Sequence, residues 1–462
     1  MANSRRTFIR QVIAIGPVAM TIWLEPDLLW GKDCAKSDTK QDCKLPDPPQ
    51  ATRFIPNEPK VRYRYSAAEM AQPARAAQLQ AFRDAICMVR NLPPDDVISW
   101  TKYVAQHCTL CDPNNKNNVH YNWQFPTWHR CFLYFLERQM RIMSKNDDLR
   151  LVYWDWENPN SRVLPAIYAP PDQPLYWENR YLGPNTFPLS DEDVDVQPLL
   201  SLQSFESFGG TKYQNTPKPA LYTGPHANVH NAFADPPKKG QKLGKQGDMA
   251  NLQYSPRDPV FYAHHSNIDR VWASWNAAGG TRTNPDFGDA KVYFYDENRK
   301  FRFVLLNDLR DTKKLGYEYS SLIKPVVAQP QEFLVRKVAN HITLAAAAMA
   351  RINAPTPDFL LITNIKHLDQ FPADTRRFGI FSAKVPAGTT AKASPNFLGM
   401  TSRVLSGGHG HDDTLSAVIR VTGKLVVAAT RGLDLHIAPL DADRKTTTDA
   451  VPLEADSMKV MS

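Results

Sequence analysis

Long apolar runs are missing from this chain of 462 residues: the longest, residues 12–24, covers thirteen positions, short of the roughly 18–20 that a membrane-spanning helix needs. No membrane is therefore expected as a partner of the mature protein. Glycine is scarce, 21 residues against 37 prolines, which points to long ordered loops with restricted φ. Charge of one sign is lacking too. The 55 basic and 47 acidic side chains leave a net charge of +8 but no Lys/Arg stripe, so nucleic acid is not expected as a partner. Six cysteines, Cys34, Cys43, Cys87, Cys108, Cys111 and Cys131, are too few for a disulfide scaffold. The sequence His-Glu-x-x-His is absent, so a zincin-type protease would have no general base. What is present, 42% hydrophobic and 22% charged residues, is an ordinary globular composition.

Residues 1–31 read as an export signal, because Arg5-Arg6-Thr7-Phe8 precedes the short apolar run and matches the twin-arginine pattern. That route carries folded proteins to a periplasmic or secreted destination, where one or two disulfides are allowed. Cys34 and Cys43 lie in a polar segment with little apolar surface to dock, and a bridge to the body would hold it. Cys87, inside Ala85-Ile86-Cys87-Met88-Val89, reads as a small buried hydrophobe, and so does Cys131.

Helical spacing of apolar groups covers residues 66–92, 128–143, 226–233 and 260–275, with strands at 292–295 and 301–305. Residues 161–219 are rich in Pro, Tyr and Ser and read as a long loop. The expected fold is a mainly α domain over 32–325, an antiparallel helical bundle with long loops. After a linker at 326–356, short β-type runs at 359–362, 378–383, 417–421 and 425–429 predict a small all-β, sandwich-like domain over 357–440. The polar residues 441–462 predict a frayed tail.

Seven of the twelve histidines fall in two clusters, His107, His120 and His129, then His226, His230, His264 and His265. His226 and His230 stand at i and i+4, so a helix would put both imidazoles on one face, able to share an ion. Phe261, His265 and Asp269 also recur at four-residue steps, while His264 is rotated by about 100°, so His265 is the expected ligand. Imidazole sets without carboxylate favour Cu or Zn over Mg, Ca or Mn. Two such sites side by side would serve O₂.

The chain resembles the tyrosinase, catechol oxidase and polyphenol oxidase family of type 3 copper proteins in its plant-like form. His107-Cys108-Thr109-Leu110-Cys111, Val119-His120-Tyr121-Asn122-Trp123 and Pro126-Thr127-Trp128-His129-Arg130 match the motifs of the first copper; Pro225-His226-Ala227-Asn228-Val229-His230 and the run from Asp258 to Arg270 match those of the second. Tyr153-Trp154-Asp155-Trp156 and Phe294-Tyr295-Asp296-Glu297-Asn298 strengthen the likeness. The resemblance implies two copper ions per chain and o-diphenol oxidation to o-quinone with O₂. It implies a thioether between Cys111 and His120, leaving Cys108 for a disulfide to Cys43 or Cys34. A full tyrosinase, a haemocyanin-like oxygen carrier and a six-histidine zinc hydrolase remain as alternatives.

Three positions depart from the family pattern. Tyr222 stands where a glutamate usually holds a water, Ala227 stands where an asparagine often follows the first ligand of the second copper (though Asn231 follows His230), and Leu252 replaces an overhanging phenylalanine. Access to the metal is expected to improve while phenol activation weakens. Asp269, one turn after His265, is expected to orient a ligand by a hydrogen bond. The β domain is expected to cover the site, with Phe397, Leu398 and Met400 in a turn as the plug, and the glycine-flanked His409 and His411 are read as a surface pair.

Overall fold

The computed structural model describes residues 34, 43, 45–111, 118–182, 188–212, 218–234, 247–326, 332–334, 336–338, 341–343, 359–405, 415–421 and 435–461. The export signal, most of the linker, the run 425–429, and His409 and His411 lie outside the described residues.

The N-terminal body is built around four helices. Helix α1, Ala76–Arg90, turns Phe82, Ala85, Ile86 and Val89 inward at three- and four-residue steps. Helix α2, Trp100–Leu110, starts where the Ser99 hydroxyl accepts the Lys102 amide at 3.2 Å. It was not anticipated: Thr, Lys and Gln interrupt its apolar pattern, and the capping serine was the available signal. Helix α3, Gln124–Met143, is buried nearly all round. Helix α6, Val260–Ala277, packs beside it, with Phe132 stacked on Tyr262 at 5.8 Å. Each such fully buried large apolar side chain contributes about 1.5–3 kcal/mol. The stretch 161–219 is irregular, as expected, apart from short helices such as α4, Asp191–Val194. A five-residue helix, α5, Ala227–Asn231, follows a π-helical turn at Tyr222–His226 that Pro225 interrupts.

The second body is all-β. Strands β1 Glu332–Leu334, β2 Phe359–Ile365, β3 Arg377–Phe381, β4 Phe397–Ser402, β5 Leu415–Arg420, β6 His436–Leu440, β7 Val451–Pro452 and β8 Ala455–Met461 form two four-stranded sheets of order β4-β3-β6-β7 and β5-β2-β8-β1. Leu360, Ile362, Phe378, Ile380, Leu398, Ile437, Met458 and Val460 form a common core. Residues 441–461 are thus not the expected frayed tail. Strand β8 pairs antiparallel with β2, with Met458 opposite Ile362 and Val460 opposite Leu360, because the buried Met458 and Val460 alternate with the half-buried Ser457 and Lys459.

The polar segment ahead of the body is tied down as anticipated, but by two bridges, Cys34–Cys87 and Cys43–Cys108. Cys87 is therefore not a lone hydrophobe, and Cys34 is not the partner of Cys108. Cys131 is a buried free thiol.

Candidate metal centre

The first histidine cluster comes from three segments. His107 lies in the last turns of α2, His129 in the second turn of α3, and His120 in the loop between, where Asn118 Oδ1 accepts its backbone amide at 2.8 Å. Ring centroids are 5.0–5.4 Å apart, and one ring nitrogen from each lies within 4.8 Å of the others. His129 Nδ1 donates to the Phe125 carbonyl at 2.7 Å; in a neutral imidazole this leaves Nε2 as a lone pair facing the cluster.

The second cluster brings together His226 at the end of the π turn, His230 on α5, and His264 and His265 on α6. His226 Nδ1 donates to the Tyr222 carbonyl at 3.1 Å, and His230 Nδ1 to the Met249 carbonyl at 2.6 Å. Both Nε2 atoms are buried and without a hydrogen-bond partner among the described residues, as are both ring nitrogens of His265. The clusters adjoin: His129 and His265 stack at 4.4 Å and 11°.

His264 does not turn away from the cluster. Its ring lies 4.9 Å from His230 and 5.4 Å from His226, so rotation about the helix alone does not separate it from His265. A hydrogen bond does: Trp156 Nε1–H donates to His264 Nδ1 at 3.1 Å. A neutral His264 must then carry its proton on Nε2, so that nitrogen is a donor and no metal ligand.

All seven imidazoles are held neutral. Burial, with neighbouring imidazoles adding to it, pulls His129 down to about 3, and burial pulls His230 to about 4. The same causes keep His107, His120, His226, His264 and His265 well below the usual histidine range. Neutral, uncharged donors without a carboxylate, several with orphaned lone pairs, fit a copper or zinc ion at each cluster.

Cys111 Sγ lies 3.0 Å from His107 Nδ1 and 3.9 Å from His120 Nε2. Phe261 packs on His265 at 4.1 Å and meets His107 edge-on at 5.1 Å. Tyr222 places its ring 5.2 Å from His226 and 5.9 Å from His120. Ala227 and Leu252 are fully buried and share a small apolar cluster with Cys111 and Val404. Val404, just past β4, comes from the β domain and went unnoticed in the sequence, where nothing in its apolar neighbours distinguishes it. Phe397, Leu398 and Met400 are not a plug in a turn. They are strand β4, with Phe397 and Met400 in one β-domain cluster and Leu398 in the other. Asn231 faces the β domain, its Nδ2 donating to the Arg403 carbonyl at 3.0 Å.

Asp269 orients no histidine. It accepts from Arg130 Nε at 2.5 Å, Tyr317 Oη at 2.6 Å and Tyr319 Oη at 2.5 Å, with Arg64 at 3.5 Å. Burial pushes its carboxyl up, but Arg130 and Arg64 outweigh that and hold it below its ordinary value. Position on the face of α6 was legible; the strand Tyr317–Tyr319 that supplies its partners is remote in sequence.

The model of the tyrosinase common central domain matches residues 97–197 and 177–278, and that of the polyphenol oxidase middle domain matches 282–328. The chain belongs to the tyrosinase family. A chloroplastic polyphenol oxidase of Malus domestica is 30% identical over 66% of this chain and 57% of its own length, and a latent-form chloroplastic polyphenol oxidase of Prunus armeniaca is 31% identical over 68% and 58%. The chain thus spans less than two thirds of the length of these relatives. Among solved structures, latent apple tyrosinase superposes with a TM-score of 0.66 at 23% identity, covering 89% of this chain and all of that one, which shows a shared fold including the β domain. Grape polyphenol oxidase superposes with a TM-score of 0.53 at 28% identity over 63% of this chain and 94% of its own. Among the described residues no helix is long and apolar enough to cross a membrane.

Proposed function

We propose that this protein is a copper-dependent polyphenol oxidase that converts o-diphenols to o-quinones, reducing O₂ to water. The observation that carries the reading is the pair of adjoining, buried, carboxylate-free histidine clusters. His107, His120 and His129 would hold the first copper, and His226, His230 and His265 the second, with His264 withheld by Trp156. Bound copper supplies the one-electron exchanges between phenol and O₂ that no side chain here can perform. The chain's own part is to aim the imidazoles through the carbonyls of Phe125, Tyr222 and Met249, and to wall the site with Phe125 and Phe261. A Cys111–His120 thioether, which the family resemblance implies, would fix the loop imidazole; Cys111 Sγ lies 3.9 Å from His120 Nε2 and nearer to His107, at 3.0 Å.

The diphenol is the favoured substrate over a monophenol because Tyr222 offers no carboxylate to take a phenolic proton. Val404, seated on Leu252 and Ala227, supports the further reading that the β domain keeps the enzyme latent. The N-terminal Arg5-Arg6 segment would export the folded, loaded protein.

The test is a copper-loaded assay with a monophenol and its matching diphenol, before and after proteolysis in the linker near 345–350. Diphenol turnover that exceeds monophenol turnover, and rises on cleavage more for a bulky diphenol than for catechol, is the expected result. Absence of O₂ consumption with either substrate after cleavage refutes the oxidase reading.

A further inference from the structure

The β domain does more than face the metal centre. Arg376, at the entry to β3, donates from Nη1 to Asn231 Oδ1 at 3.0 Å and to the Ala250 carbonyl at 2.9 Å. Asn231 in turn donates to the Arg403 carbonyl at 3.0 Å, and the Arg403 amide closes back on the Arg376 carbonyl at 2.9 Å. Ser402 Oγ donates to Asn228 Oδ1 at 2.5 Å, Thr223 Oγ1 donates to the Ser416 carbonyl at 2.7 Å, and the Leu252 amide donates to the Leu405 carbonyl at 3.3 Å. These bonds fall on the π turn and α5 that carry His226 and His230, or on the segment whose Met249 carbonyl orients His230.

Helix α5 has five residues, far fewer than the ~12–15 at which an isolated helix becomes even marginal. Its shape is set by what surrounds it: the β domain holds both of its asparagines, Asn231 and Asn228, and the Asp193 carbonyl of the N-terminal body accepts from Asn228 Nδ2 at 3.0 Å. Arg376 reaches two of the supports at once, α5 through Asn231 and the Met249–Ala250 backbone through a carbonyl.

We propose that Arg376 is a positioning residue for the second copper: by tying α5 to the Ala250 carbonyl it keeps His226 and His230 converged, so that metal occupancy of that cluster and closure of the β domain stabilise one another. The first cluster, carried on α2, α3 and the loop between them, meets this support only at the Leu252 backbone beside His107, and is expected to hold its copper more firmly than the second when Arg376 is lost. This rests on the reading of both clusters as copper sites. Because linkage is reciprocal, the factor by which closure tightens the second metal equals the factor by which that metal tightens closure.

The test uses the full-length chain loaded with copper and dialysed against a chelator, with residual copper measured per chain. Arg376→Met is expected to release one copper at least tenfold faster than the unaltered protein, in line with the ~10–100-fold cost of losing a group that orients a ligand, and to keep the other. In a His129→Gln background Arg376→Met should strip the remaining copper, whereas in a His226→Gln background it should not. Arg420→Gln, which removes an interdomain pair with Asp195 that bonds neither Asn231 nor the Ala250 carbonyl, should release copper like the unaltered chain. Copper should also slow cleavage of the linker in the unaltered chain and not in Arg376→Met. If Arg376→Met does not accumulate folded, Ser402→Ala carries the same test with a smaller change of the same sign. Equal release of both coppers, or release at the unaltered rate, overturns the proposal. An unaltered chain that binds no copper refutes the copper reading itself.

Discussion

The first histidine cluster hangs on two helices of eleven and twenty residues, Trp100–Leu110 and Gln124–Met143, and the Cys43–Cys108 bridge anchors the first of them next to His107. In the second, two of the ligand candidates sit on or beside a five-residue helix whose asparagines are gripped by another domain. The donor chemistry of the two is the same, neutral imidazoles, and a backbone carbonyl holds Nδ1 of His129 in the first and of His226 and His230 in the second. What differs is where the rigidity comes from. One site is stiffened by its own scaffold, and the other borrows stiffness across a domain boundary.

The sharpest way to break this comparison is at α6, the one long helix that serves the second cluster. His265→Ala is expected to lower bound copper from two to one per chain. His264→Ala should retain two, at a stability cost of roughly 1–3 kcal/mol for the buried Trp156 N–H left without its acceptor. Metal analysis of the two purified variants decides it. Loss of copper in His264→Ala with retention in His265→Ala would reverse the tautomer argument and give the second site a different third ligand.

The residue spacing made the clusters legible because metal ligands on a helix must repeat at its period: His226 and His230 needed no structure to be paired. The limits have equally physical causes. Helix rotation could not place His264 outside a cluster that is only a few ångströms across, and the hydrogen bond that excludes it comes from Trp156, more than a hundred residues away. Cys87 looked like core because its neighbours are apolar, and a disulfide to Cys34 depends on a chain reversal that no local pattern records. Strand β8 was lost in a polar segment since only every second residue faces the core. The β domain was visible as a domain, but not its point of contact, because Val404 and Arg376 act on partners in the other body.

A second, smaller effect concerns how the long helices are held together beneath both clusters. Asp269 on α6 joins Arg130 of α3 and, more distantly, the buried Arg64, so Asp269→Asn leaves Arg130 without its counter-charge while Arg64 keeps Glu137 at 2.8 Å. A loss of about 3–5 kcal/mol is expected, read as a lower denaturation midpoint, with copper per folded chain unchanged at two. The pH profile gives the sign. The folded carboxyl is depressed, so its contribution is complete above the unfolded value near ~3.9 and is lost as pH falls through the folded value. Asp269→Asn should lack that acid-side decline. Selective loss of one copper in this variant would instead make Asp269 part of a ligand's support.

The smallest effect tests the apolar contact that bridges the domains. Val404 is buried with Cys111, Ala227 and Leu252, so it touches residues neighbouring both clusters. Val404→Ala removes about two methyl equivalents and should cost roughly 1.5 kcal/mol, little enough for the β domain to stay folded on its own core. If that contact is what excludes substrate, the uncleaved variant should oxidise a bulky diphenol faster than the uncleaved unaltered protein, and the two should become indistinguishable once the linker is cut. Replacing Phe397, Leu398 and Met400 by Ala should act differently. It hollows both β-domain clusters, so thermal stability should fall by several times as much, and latency should disappear only when that domain unfolds. If Val404→Ala stays as latent as the unaltered chain while the triple variant turns over substrate with its β domain still folded, strand β4 rather than Val404 is the barrier between the two bodies.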